Sequence, residues 1–208
     1  MMLAFDTSGP TLSAALFEGK NFLSELESDA GAKHSNVLLP IVQRLLKKCS
    51  VSFAELEVLA VCLGPGSFTG LRVGIATAKV LAYASGKKIV GVTSLEAAAR
   101  AAMDRLPAGK TAVAVVMDAR RSMVYGAVYG LQRGQVKTIF KPALLPLEKF
   151  MAMTKNAVVV KADGFLPRAS HVAEAALPLI ARKKFIDPFK LEPLYLHARD
   201  CNVTYKKR

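Results

Sequence analysis

Cysteine, histidine and acidic side chains are all scarce in this chain of 208 residues, and long apolar runs are missing altogether. The three cysteines, Cys49, Cys62 and Cys201, stand apart with no CxxC pair, which argues against a structural zinc site and suits a reducing compartment. Cys62 falls in an apolar run and reads as plain core. The three histidines, His34, His171 and His197, never stand one helical turn apart. A metal-dependent transferase of the two-histidine kind needs such a pair, with a carboxylate, to offer neutral imidazoles to one ion. His34 reads instead as a helix-start residue. No Ser–His–Asp or Cys–His relay is legible from spacing. No run approaches the roughly 18 apolar residues of a membrane span, and the start MMLAFDTSG has no basic stretch, apolar core or cleavage site. A cytosolic protein is expected.

What the chain does have is apolar and basic. Apolar residues make up 52% of it, which at this length buries on the order of 70% of the unfolded surface. Lys and Arg number 29 against 16 acidic residues, a net charge of +13 that concentrates polyanions near the surface. Nucleic acid or an acidic protein is the implied partner. The basic clusters are dispersed, at 47–48, 87–88, 120–121, 182–184 and the C-terminal YKKR, and most read as solvated faces.

Gly64 to Gly70 read GPGSFTG, between the apolar run Leu59 to Leu63 and the helical pattern LRVGIATAKVLAYAS. Glycines at such a strand-to-helix junction permit close approach, either by a phosphate at the unpaired N–H groups of the helix start or by another piece of backbone. Both meanings stay open. The spacing is neither that of a phosphate loop ending in Gly-Lys-Ser/Thr nor GxGxxG.

The pattern of elements repeats. Met2 to Phe5 is a strand ending in Asp6, followed by a turn, a strand at Leu12 to Phe17 and another at Asn21 to Leu26. A helix at 35–49, a strand at 58–63, a helix at 69–85 stopped by Gly86, a strand at 89–92 and an alanine-rich helix capped by Ser94 complete the first half. After Pro107-Ala108-Gly109, the strand Thr111 to Met117 again ends in an aspartate, Asp118, and strands at 123–129 and 136–140, a helix at 147–153, a strand at 157–160 and a helical stretch at 169–183 broken at Pro178 follow. Two lobes of one plan are expected, at 1–106 and 107–208. An aspartate closing the first strand of each lobe is placed to hold a metal–phosphate complex, though Asp-Thr-Ser-Gly is equally an ordinary turn.

The helix at 35–49 carries Val37, Leu38, Leu39, Ile41, Val42, Leu45 and Leu46, more apolar width than one buried stripe requires. The surplus is expected to meet a partner, the alternative being the chain's own second lobe.

Taken together, LAFDTS, HSNVLLPIVQRLL, CLGPGSFTGLRVGIATAKVLA, GVTSLEAAA, MDARRSMVYGAVY and EPLYL closely resemble the bacterial TsaB (YeaZ) family over nearly the whole chain. The resemblance implies an α/β chain of the actin-like, sugar-kinase-like (ASKHA) fold with two RNase-H-like lobes. It implies a non-catalytic role in making threonylcarbamoyladenosine in tRNA, beside a catalytic TsaD-like paralogue and a TsaE-like ATPase, with homodimers when alone. The partner-binding helices of that family match 35–49 and 69–85, which nominates Leu38, Leu39, Ile41, Val42, Leu45, Leu71, Val73 and Ile75 for the interface. Asp6, Ser8, Gly64, Gly66 and Gly70 are the candidate nucleotide site, with no cofactor expected for the chain alone and ATP or ADP only at an interface shared with a partner. Arg120, Lys206 and Lys207 are the candidate tRNA contacts. Lys161-Ala162-Asp163-Gly164 departs from the glycine-led turn of relatives, and a trimmed second lobe is expected. Two other functions stay on the table, a metal-dependent glycoprotease-like peptidase and an independent kinase-like nucleotide binder.

Overall fold

β1 (Met2–Asp6) is buried along its whole length, as a continuous run of apolar residues demands of a central strand. The structure is a computed structural model and describes residues 1–29, 34–103, 105–132, 135–162 and 168–196. β1 pairs antiparallel with β2 (Thr11–Glu18) and parallel with β4 (Val58–Cys62). With β3 (Asn21–Asp29) and β5 (Lys88–Val92) at its edges, the first sheet has the order β3-β2-β1-β4-β5. In the second sheet β6 (Ala112–Asp118) lies antiparallel to β7 (Met123–Gln132) and parallel to β9 (Val158–Lys161), and β8 (Gln135–Pro146) completes the order β8-β7-β6-β9. The same meander followed by a parallel strand is thus built twice. This is the duplicated α/β plan of the ASKHA fold.

Five helices cover the sheets among the described residues. α1 (His34–Lys48) and α2 (Phe68–Ser85) share one core with the first sheet, in which Leu38, Leu45 and Ile75 meet Leu3, Phe5 and Leu59. Its other face is covered by α5 (Ala169–Ala181), whose Val172, Ala173 and Ala176 pack on Ala4, Ala15 and Ala60. α3 (Ser94–Met103) packs on Val113, Val115 and Tyr129 of the second sheet, and α4 (Leu147–Met153) covers the opposite face through Phe150. Each half therefore lends a helix to the other. The boundary at 106/107 falls between the sheets, not between their helices, and the chain after α5 returns to the first sheet. Ile186 bridges to Ile89, Leu191 joins the first core, and the Leu194 amide donates to the Leu63 carbonyl at 2.8 Å.

Three details differ from the sequence pattern. α1 begins at His34, one residue ahead of the helix expected at 35–49, and the His34 Nε2 lies 3.0 Å from the Gly9 carbonyl oxygen. α3 is capped by Thr93, whose Oγ1 accepts from the Glu96 amide at 3.0 Å, because Ser94 is fully buried and spends its hydroxyl on the Pro65 carbonyl. α5 runs through Pro178, whose missing N–H removes one backbone bond of the last turn without ending the helix before Ala181.

Glu96, in the first turn of α3, has its carboxyl pushed up to about 6 from an ordinary 4.5 by burial. Because the folded chain holds this proton more tightly than the unfolded one, the charged form at pH 7.5 costs on the order of 2 kcal/mol, a penalty relieved as pH falls through 6 toward 4.5. Glu96→Gln should therefore raise the Tm by about 4–8 °C at pH 7.5. The gain should vanish near pH 4.5, which thermal melts across that range will test.

Candidate functional site

Two places in this fold are candidates for function: the junction where β1 meets the GPGSFTG loop, and the outer face of α2. At the first, Asp6 is buried and bends the chain back on itself, its Oδ1 accepting from the Ser8 amide at 2.7 Å. Burial raises its carboxyl above the usual range, and the Ser8 hydrogen bonds pull against that shift. Beside it the Cys62 thiol is pushed well up, first by burial and then by Asp6, so it is inert core as expected.

The glycine loop folds onto this turn. The Ser67 amide donates to the Ser8 carbonyl at 2.7 Å, and the Gly70 amide donates to Ser67 Oγ at 3.2 Å, making Ser67 the cap of α2. A Cβ at Gly66 would sit 2.5 Å from the Ser8 carbonyl oxygen, one at Gly70 would strike the Thr7 carbonyl oxygen, and one at Gly74 would strike Thr7 Oγ1. Gly64, at φ +96°, offers its carbonyl to the Ser94 amide at 2.9 Å and so ties the loop to α3. Asp6, Ser8, Gly64, Gly66 and Gly70 are thus brought together, and of the two meanings open for the loop the geometry realises the second. Backbone fills the space the glycines clear.

Asp118 repeats the arrangement on the second sheet, its Oδ1 accepting from the Arg120 amide at 2.8 Å. Arg120, Arg121 and Ser122 all adopt left-handed φ values, of 65°, 51° and 60°, which hold both arginines out in solvent. Between the two aspartate turns lies a cleft of about 310 Å³ lined by Ser8, Gly9, Pro10, Gly66, Ser67, Met117, Asp118, Tyr125 and Ala162. Among the described residues no three His, Cys, Asp or Glu side chains gather as a metal set. His171 Nδ1 accepts from the Arg168 amide, and His197, Lys206, Lys207 and Cys201 lie outside the described residues.

The interface residues drawn from the sequence need correction. Leu38, Ile41, Val42, Leu45, Leu71 and Ile75 are buried, none more than 4% exposed, inside the core of the single chain, and Val73 packs against that core. The surplus width of α1 is used up by contact with both β2 and α2, an arrangement periodicity alone does not separate from an external partner. Leu39, at 46%, is the one nominated leucine that stays exposed. The open apolar surface lies instead on α2, where Phe68, Val80 and Tyr83 fall within about a third of the helix circumference. Tyr83 is 71% exposed. The returning chain extends this face, with Phe189 edge-on to Tyr83 at 5.3 Å and Tyr195 at 6.2 Å from Phe68. The Arg72 guanidinium stacks 3.8 Å over Phe68. Sequence reading missed these residues, although the EPLYL segment that carries Tyr195 is among those that resemble the family.

Known proteins match this architecture. The family model described as TsaD, tRNA N6-adenosine threonylcarbamoyltransferase, matches residues 27–182. The tRNA threonylcarbamoyladenosine biosynthesis protein TsaB of Escherichia coli (strain K12) is 29% identical over 99% of this chain and 97% of its own. The protein of the same name from Bacillus subtilis (strain 168) is 33% identical over 74% of this chain and 66% of its own. Among solved structures, YeaZ from Pseudomonas aeruginosa superposes with a TM-score of 0.81 at 28% identity, covering 94% of this chain and 99% of that one. Motifs, duplicated sheets and these relatives agree, and the chain belongs to the TsaB (YeaZ) branch of the TsaD-type family.

Proposed function

We propose that this chain is a non-catalytic subunit of the machinery that makes threonylcarbamoyladenosine in tRNA, and that it acts by binding a TsaD-like transferase through the outer face of α2. One observation carries the reading: a row of large apolar and aromatic side chains, Phe68, Val80, Tyr83 and Phe189, stands in solvent on a rigid helix and the segment braced against it. Contiguous exposed aromatics rimmed by polar residues mark interaction surfaces, where a few central anchors supply most of the binding energy. The names carried by the relatives supply the process. The same face serves a second copy when the paralogue is absent, and a TsaE-like ATPase joins through the paralogue. The cytoplasm is where such a complex meets tRNA, and no helix among the described residues is long and apolar enough to cross a membrane. Reconstituted modification of tRNA, run with and without this chain, tests the reading. Full-rate modification without it would end the proposal.

Nucleotide enters at a surface shared with the paralogue, since the Ser67 and Gly70 amides are already spent on the Ser8 carbonyl and on Ser67 Oγ. Calorimetric titration of the isolated chain with ATP and magnesium should show no binding tighter than about 10 μM, and the complex with the paralogue should show it. Arg120 is exposed beside the cleft and is the remaining tRNA contact within the described residues. Arg120→Glu should lower tRNA affinity of the complex and reduce its salt slope by about one unit.

A further inference from the structure

A second cavity, of about 690 Å³, shares no lining residue with the aspartate cleft. It lies at the other end of both sheets, because Phe17 pairs with Met2 at the start of β1 and Lys137 pairs with Gly130, which faces the start of β6. Its walls come from the β2–β3 hairpin, β8 and the two exchanged helices α3 and α5. Its size is that of ligand pockets, which run from roughly 300 to 1,000 Å³ and combine an apolar lining with a few convergent polar groups.

The lining has three parts. Phe17 and Phe22 meet edge to face at 5.5 Å, and with Leu177 and Leu179 they give an apolar surface on which a flat ring can rest, Phe22 being half exposed. Lys20, Lys137 and Arg182 reach the cavity from three different elements, and none forms an ion pair among the described residues. Arg100 differs, being held by Glu174 at 3.0 Å. On the α3 wall Glu96 presents a largely buried carboxyl that accepts no hydrogen bond and joins no ion pair among the described residues. Three unpaired cations ask for an anion, and an unpaired acceptor asks for a donor.

We propose that this cavity binds a small organic anion built on a flat ring with an N–H or O–H donor, the chemistry of a nucleoside monophosphate. The ring lies against Phe22 and Leu179, the donor reaches Glu96, and the anionic group meets Lys20, Lys137 and Arg182. This site is independent of the α2 face and stands or falls without it.

Titration of the isotope-labelled full chain with AMP, followed by amide NMR, tests the assignment. AMP should shift the Phe22, Lys137, Thr138 and Leu179 amides with a Kd below about 1 mM, and inorganic phosphate should bind at least about tenfold more weakly. Lys137→Glu with Arg182→Glu, both on exposed side chains, should weaken AMP at least about tenfold with an unchanged Tm. Absence of shifts at about 10 mM AMP, shifts confined to Ser8, Ser67 and Asp118, equal binding of phosphate, or indifference to the double charge reversal would each overturn it.

Discussion

Val80→Glu combined with Tyr83→Glu should weaken the complex with the TsaD-type paralogue by at least about 100-fold and abolish tRNA modification in a reconstituted system, while leaving the isolated chain folded. Both side chains stand on the outer face of α2, at 65% and 71% exposure, so their replacement removes no core contact, only the edge-on pair of Tyr83 with Phe189, and should cost about 0.5–1.5 kcal/mol of stability. The effect on binding is large because a carboxylate driven into the centre of an apolar interface is desolvated without a partner. Leu45→Asp makes the contrast. Leu45 has no exposure, and a charge there should cost the monomer about 3–5 kcal/mol and remove modification by unfolding it. Loss of modification in that variant is therefore silent about any interface. Size-exclusion chromatography of the mixed proteins, beside thermal melts of each variant, separates the cases. Wild-type affinity in the Val80/Tyr83 variant would move the interface off α2.

Much of this fold was legible from local signals. The β1–β3 meander follows from apolar runs separated by Asp-Thr-Ser-Gly-Pro and Glu-Gly-Lys turns, and α2 stops at Gly86, which takes the left-handed conformation at φ 67°. The aspartates closing β1 and β6 were visible as a pair, and both make the turn bond that Asp makes with the amide two residues on. The exchange of α3 and α5 was not legible. Both helices are rich in alanine, and an alanine stripe fits either sheet equally well, so only the closed structure assigns each to its partner. The burial of the nominated α1 residues was hidden for a related reason: periodicity reports how wide an apolar stripe is, not what covers it. Nothing local distinguishes Tyr83, because Phe189, which packs against it, lies far along the chain. The second cavity draws on four elements, and no single one of them signals it.

The two meanings of GPGSFTG predict opposite phenotypes for one methyl group. If the loop existed to cradle phosphate, Gly70→Ala would spare the fold and damage nucleotide binding. In this structure the added Cβ strikes the Thr7 carbonyl oxygen, an atom of the buried turn that Asp6 holds, and backbone cannot step aside as a flexible side chain can. Gly70→Ala should therefore cost about 3 kcal/mol or more, a fall in Tm of roughly 6–12 °C for a chain of this size. Gly109→Ala is the control, since a Cβ there meets nothing and only the positive φ of 79° is strained, a cost of about 1 kcal/mol. The separation between the two variants is the reading that matters, and it needs no ligand. A Gly70→Ala protein as stable as the parent would return the loop to the phosphate reading. The expected instability would instead explain how this glycine-rich segment works: it locks the β1 turn to the start of α2, and so fixes the helix on whose outer face Tyr83 stands.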